Sequence, residues 1–170
     1  HVYTAGSSAK NDELLDSGQV PVYKTPRGGR YTYHGPGQRI IYLMLDLDRF
    51  DRDIRSFIKN LEEVLIKTFT NFDMDVYPHR DRIGLWVKNG GQEEKIGAIG
   101  LKIKKWISLH GVAINIDPDL SYFNGIIPCG LRDYNVTSVR KINDLMTMDK
   151  FDTEFIRNFQ SKVGDLKQLD

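Results

Sequence analysis

Between residues 51 and 72 the apolar side chains fall at Ile54, Phe57, Ile58, Leu61, Val64, Leu65 and Phe69, the i, i+3, i+4, i+7 spacing that lays one stripe along a helix. The pattern predicts an amphipathic helix. Asp51 and Asp53 stand near its start, where a carboxylate caps free N–H groups and meets the positive end of the dipole. Before it, Ile40-Ile41-Tyr42-Leu43-Met44-Leu45 is an unbroken run of branched and aromatic residues and predicts a strand buried on both faces. After it, residues 75–77, 83–87, 96–103, 106–110 and 112–116 are short apolar segments divided by polar or glycine turns, which predict the bulk of a sheet. Helical spacing returns at 138–146 and at 152–163, the latter through Phe155, Ile156, Phe159 and Val163. Residues 1–38 are rich in Gly, Ser, Pro and Asp and read as loops joined by brief strands, the kind of region in which a site is built.

Strands grouped and then helices grouped give an α+β class, one mixed β-sheet with flanking helices. No internal repeat, low-complexity tract or linker divides the chain, so residues 1–170 are expected to form a single domain. Hydrophobic residues at 40% and charged residues at 28% of 170 match ordinary globular usage, so the chain is expected to fold on its own core.

Charge then narrows the partners. With 24 basic and 23 acidic side chains and a net charge of +1, there is no dominant field to attract a phosphate backbone, and nucleic acid is not expected as a partner. The longest apolar run, residues 40–45, is far shorter than the roughly 20 residues that cross a bilayer, so no membrane association is expected. One cysteine forms no internal disulfide, and the histidines His1, His34, His79 and His110 have no zinc-ligand spacing. No metal is expected, and a reducing, cytoplasmic setting fits best.

Three segments carry candidate chemistry. Cys129 lies in Ile126-Ile127-Pro128-Cys129-Gly130, where Pro before and Gly after hold the thiol at a turn. Cysteine is among the most buried residue types, so composition alone favours a structural role, and the flanking Pro and Gly argue for a fixed, exposed one. A thiol with the ordinary pKa of about 8.5 is only a few per cent thiolate near neutral pH, so a catalytic cysteine needs a nearby cation or base. His34, His110 and several lysines are available. Among them Lys95 opens Lys-Ile-Gly-Ala-Ile-Gly, whose small residues allow close approach of backbone or substrate; taken singly it reads more readily as a solvated lysine that starts a strand after Glu93 and Glu94. The third segment, Arg27-Gly28-Gly29-Arg30-Tyr31-Thr32-Tyr33-His34-Gly35-Pro36-Gly37, can bring N–H groups to an anion or carbonyl. It has neither phosphate-loop nor dinucleotide spacing, and a long glycine-rich turn explains it as well.

Together these segments resemble the lipoyl (octanoyl) transferase family. The matching stretches are Arg27-Gly-Gly-x-x-x-Tyr-His-Gly-Pro-Gly-Gln38, Lys95-Ile-Gly-Ala-Ile-Gly100, His110-Gly-Val-Ala-Ile-Asn115 and Asp119-Leu-Ser-Tyr-Phe-x-x-Ile-Ile-Pro-Cys-Gly130, in that order, with likeness running from Val2 to the last helix. The resemblance implies a fold similar to the catalytic domain of biotin and lipoate protein ligases. It also implies that a strand and a helix precede the Val2-Tyr3-Thr4 segment, so the native protein is expected to be longer. Carried over residue by residue, it implies Cys129 as the acyl-thioester nucleophile and Lys95 as its base. Arg27, Gly28, Gly29, Arg30, Tyr31, Thr32, Tyr33, His34, Ala98, Ile99, Gly100, Gly111, Val112 and Ala113 match segments that contact the acyl substrate.

The implied reaction moves an octanoyl (or lipoyl) group from octanoyl-acyl carrier protein to a lysine of lipoyl domains, in the E2 subunits of 2-oxoacid dehydrogenases and the glycine cleavage H protein. A thioester donor already holds the acyl group at high transfer potential, so no cofactor and no ATP are implied. Two other readings share these residues: an ATP-dependent lipoate or biotin ligase, which needs no thiol, and a non-catalytic acyl or carrier-protein binding module. His34 stands as the rival base, and N–H groups near Cys129 and along residues 95–100 are the expected oxyanion donors.

Overall fold

The computed structural model describes residues 1–50 and 52–167, and its strands form two sheets rather than the single sheet expected. In the smaller, β1 (Val2–Ala5) lies between β2 (Val22–Lys24), to which it is parallel, and β3 (Tyr31–His34), to which it is antiparallel. The glycine- and serine-rich first segment supports strands because it has its own core: Tyr3, Tyr31 and Tyr33 pack with Phe123 and Ile126.

The larger sheet is built from β4 (Gln38–Tyr42), β5 (Val76–Pro78), β6 (Leu85–Asn89), β7 (Gln92–Lys104) and β8 (Ile107–Asn115), in the order β4-β8-β7-β6-β5 with every neighbour antiparallel. A two-residue strand, β9 (Asn135–Val136), runs parallel to β7 at Glu94 and Lys95. The run from Ile40 is not buried on both faces. Among the described residues β4 pairs only with β8 in this sheet, and Tyr42 and Met44 are 66% and 71% exposed while Leu43 is 5% exposed. The expected break between residues 110 and 112 is also absent, because β8 runs through Gly111. A Cβ there would stand 2.0 Å from the Ile41 carbonyl oxygen, so the glycine admits the neighbouring strand rather than ending its own.

The helix predicted by the apolar stripe is α1 (Ile54–Thr70), with Asp53 Oδ1 accepting from the N–H groups of Arg55 (2.8 Å) and Ser56 (3.1 Å); Asp51 lies outside the described residues. Phe57, Leu61, Val64, Leu65 and Phe69 are buried against Leu85, Val87, Ile96, Val112 and Ile114 of the sheet. Each such side chain contributes about 1.5–3 kcal/mol by leaving water. The segment 138–146 yields only α2 (Val139–Ile142), because Asn143 turns the chain: its amide donates to Phe72 O (2.8 Å) and its Oδ1 accepts Leu145 N–H (2.9 Å). The last helix, α3 (Met148–Lys167), crosses α1, and Asn158 Nδ2 donates to Thr68 Oγ1 at 3.2 Å inside that contact. No helix among the described residues is long and apolar enough to cross a membrane.

One irregularity positions the site. Leu85 is opposite Gly97 and the next residue, Trp86, is opposite Lys95, so Ile96 is an extra residue on β7. Such a bulge changes which face the following residues present. Leu85 and Trp86 face opposite ways, so Lys95 faces away from Gly97. It shares the far face with Ala98 and Gly100, while Ile96 enters the helix-covered core, fully buried.

Candidate functional site

β6 accompanies β7 only as far as Gly97. Beyond that point the β7 edge is open, and the glycine-rich loop docks on it through Gly28 N–H to Leu101 O at 2.8 Å. A cavity of about 580 Å³ occupies the gap. Arg27, Gly28, Gly29, Arg30, Thr32, His34, Ala98, Ile99, Gly100, Gly111, Val112, Ala113 and Cys129 line it. Ile40, Ile54, Ile58 and Ile103 provide further apolar wall, which suits a hydrocarbon chain.

Tyr31 and Tyr33 were expected among the substrate contacts but do not line this cavity. Both are buried in the smaller core. The strand β3 alternates, so Thr32 and His34 reach the cavity while the two tyrosines face inward. His110, at the β4–β8 edge, also lines the cavity, at a left-handed φ of 63°.

Cys129 sits in a single 3-10 turn, Pro128–Gly130, with φ 56° and ψ 17°. That left-handed conformation costs a non-glycine residue about 1–3 kcal/mol and persists only where surrounding structure enforces it. The enforcement is visible. Ile126 and Ile127 are buried, Ile127 N–H donates to Glu13 O (2.8 Å), and Gly125 O accepts from Leu15 (2.9 Å) and Asp16 (3.0 Å). The Glu13 carboxylate, 3% exposed, pairs with Arg30, and a Cβ on Gly130 would stand 2.5 Å from Arg30 Nη1. Arg30 therefore braces the turn, its charge committed to Glu13.

Lys95 is 5% exposed, and its Nζ donates to Cys129 Sγ and to Ile83 O, each at 3.0 Å. The ammonium position lies 5.6 Å from the centroid of the Trp86 ring. Trp86 is itself held by Nε1 donating to Arg82 O (2.9 Å), with the Arg82 guanidinium 4.5 Å from the Trp86 ring centroid and 4.0 Å from that of Tyr134 and paired with Glu93 at 2.6 Å. Gly84 makes room: at φ +138°, a Cβ there would stand 2.6 Å from Lys95 Cε. The sequence reading missed Arg82, Trp86 and Gly84. Gly84 had a signal, since a glycine inside an expected strand marks a close approach.

Arg27 ties the loop to β1, donating to Thr4 O (2.8 Å), Thr4 Oγ1 (2.7 Å) and Gly28 O (2.9 Å). Burial holds its guanidinium below the usual value, against a smaller opposing effect of Cys129. Among the described residues no group of three His, Cys, Asp or Glu side chains is placed to hold a metal ion. The two N–H groups that follow Cys129 are used in the turn, Gly130 to Ile127 O (3.0 Å) and Leu131 to Pro128 O (3.1 Å).

The family model of the lipoyl protein ligase A/B catalytic domain matches residues 1–160. The chain belongs to that family. Among curated relatives of this lipoyl ligase-type domain, the octanoyltransferase of Rhodospirillum rubrum is 46% identical over 164 residues, which cover 96% of this chain and 76% of that one. The octanoyltransferase of Paramagnetospirillum magneticum is 47% identical over 164 residues, 96% of this chain and 77% of that one. In fold, the chain is similar to the bi-partite lipoate protein ligase of Thermoplasma acidophilum, with a TM-score of 0.74 at 19% identity over 96% of this chain and 68% of that one. It is similar also to the biotin protein ligase of Aquifex aeolicus, with a TM-score of 0.59 at 13% identity over 78% of this chain and 55% of that one. The expected α+β, ligase-like fold is thus borne out.

Proposed function

We propose that this chain is an acyltransferase that moves an octanoyl group from an acyl carrier protein thioester to a lipoyl-domain lysine through an octanoyl thioester on Cys129. The observation that carries the reading is the 3.0 Å contact of buried Lys95 Nζ with Cys129 Sγ at the wall of a partly apolar cavity. In the first half-reaction Lys95 takes the thiol proton, Sγ attacks the donor carbonyl, and collapse of the tetrahedral adduct expels the carrier thiolate, which recovers the proton. In the second, the lysine amine forms the C–N bond, the C–S bond breaks, and the surplus amine proton returns to Sγ through Lys95.

An oxyanion donor is supplied by β7 itself. Leu101 O turns away from β8 to meet Gly28, and His110 O turns away from β7 to meet Leu43 N–H at 2.7 Å. Alternation from Leu101 then directs the Ile99 N–H to the same open edge, at the cavity. The acceptors in this reading are lipoyl domains of 2-oxoacid dehydrogenase E2 subunits and the glycine cleavage H protein, and the setting is cytoplasmic. Solved ligases of similar fold are recorded with ATP bound, but an adenylate route has no use for a thiol beside Lys95.

Incubation with octanoyl-carrier protein followed by intact-mass measurement tests the reading: an octanoyl adduct on the wild type, absent in Cys129→Ala, is expected. No adduct, together with ATP-dependent transfer, would replace it with the ligase reading.

A further inference from the structure

Beneath the cavity a row of buried amides ends on a group that can only accept. Asn115, 4% exposed, donates from Nδ2 to the Thr137 carbonyl at 2.9 Å. Its Oδ1 must then face the other way, where it accepts Gln38 Nε2 at 2.9 Å. That leaves Gln38 Oε1 as the atom 3.1 Å from His34 Nδ1. An amide oxygen accepts, so Nδ1 donates. The carbonyl at the far end therefore fixes the direction of every bond, and neutral His34 carries its proton on Nδ1 with a bare lone pair on Nε2.

His34 lines the cavity with Cys129, its strand β3 lies against the Cys129 turn, and Nε2 has no hydrogen-bonding partner among the described residues. Burial, with a smaller contribution from the Arg27 charge, holds the imidazole below its usual value against the opposing Gln38 bond, so the ring stays neutral. The cavity wall carries the cations Arg27, Arg30 and Arg82 and the polar Ser8, Thr32, Asp81 and His110 beside its apolar residues, and His34 is the acceptor on it whose direction the amide row fixes. The incoming amine is the reactant with N–H bonds to offer.

We propose that His34 Nε2 accepts a hydrogen bond from the incoming lysine amine in the second half-reaction, with Gln38 and Asn115 as positioning residues that set its tautomer. The inference rests on the transferase reading above. The amine nitrogen forms the new C–N bond while one of its N–H groups points at Nε2; the C–S electron pair goes to Sγ, the other amine proton reaches Sγ through Lys95, and His34 is unchanged at the end. Its task is aim: it turns the amine lone pair towards the carbonyl carbon.

Two measurements test this. In 15N-labelled wild type, long-range proton–nitrogen correlations are expected to place the His34 proton on Nδ1; an Nε2–H tautomer overturns the proposal. In single-turnover experiments the two half-reactions are timed separately, and His34→Phe is expected to slow transfer from the octanoyl-enzyme to a lipoyl domain about 100-fold more than it slows loading of Cys129. Gln38→Met is expected to shift the ring towards the Nε2–H form and to slow transfer in parallel. Equal losses in both half-reactions, or none, overturn it. A wild type that never loads Cys129 would sink the transferase reading instead, so the two failures are distinguishable.

Discussion

Gly84→Ala probes how the base is held while leaving both reacting residues, Lys95 and Cys129, in the sequence. An added Cβ would stand 2.6 Å from Lys95 Cε, 3.0 Å from Lys95 Nζ and 2.7 Å from the Gly97 carbonyl oxygen, at a φ of +138° that an L side chain rarely adopts. The carbonyl belongs to β7 and has little room to yield, so the lysine end moves. A shift of about 1 Å lengthens the Nζ–Sγ contact past hydrogen-bond range and is expected to slow Cys129 acylation about 100-fold. The backbone strain is expected to cost about 2 kcal/mol of stability. Urea unfolding reads the second effect and pre-steady-state acylation, monitored by intact mass under folding conditions, reads the first. A variant that acylates within about threefold of wild type would refute the claim that Lys95 is held by the absence of a side chain at Gly84.

Lys95→Arg keeps a cation beside Cys129 but supplies a group that does not deprotonate, so steady-state octanoyl transfer should fall to background; rates near wild type would remove Lys95 from the proton-transfer role. His34 is held below its ordinary value, first by burial and then by Arg27, with Gln38 opposing. The unfolded chain therefore binds the proton first, and this part of the stability is full above about pH 6.5 and is lost as pH falls through the lower folded value. His34→Phe should flatten the acid limb of stability measured by urea midpoint against pH, and an unchanged limb would contradict the assigned direction.

The helix stripe from Ile54 to Phe69 and the Asp53 cap were legible because they are local: a 3.6-residue period and one carboxylate decide them. Cys129 was legible through its Pro and Gly neighbours, and Arg27, Thr32, His34, Ala98 and Gly100 through motif resemblance. What escaped depended on tertiary partners. Nothing in the alternation of residues 92–104 announces that Ile96 is an extra residue, yet that bulge puts Lys95 on the face of Ala98. Tyr31 and Tyr33 sit inside a matching motif, but strand alternation sends them to a core made by Tyr3 and Phe123, residues distant in sequence. Gly111 read as a break because its reason, the Ile41 carbonyl, lies on another strand. Glu13 gave no signal at all, since its partner Arg30 was assigned to substrate.

The central claim is that Cys129, poised by Lys95, carries the acyl group. Its most direct test is quenched-flow mass spectrometry of the enzyme mixed with octanoyl-acyl carrier protein. An octanoyl thioester at Cys129 is expected to form before product, to decay when lipoyl domain is added, and to be lost in Cys129→Ala. Transfer to the lipoyl domain at wild-type rate by Cys129→Ala would contradict it.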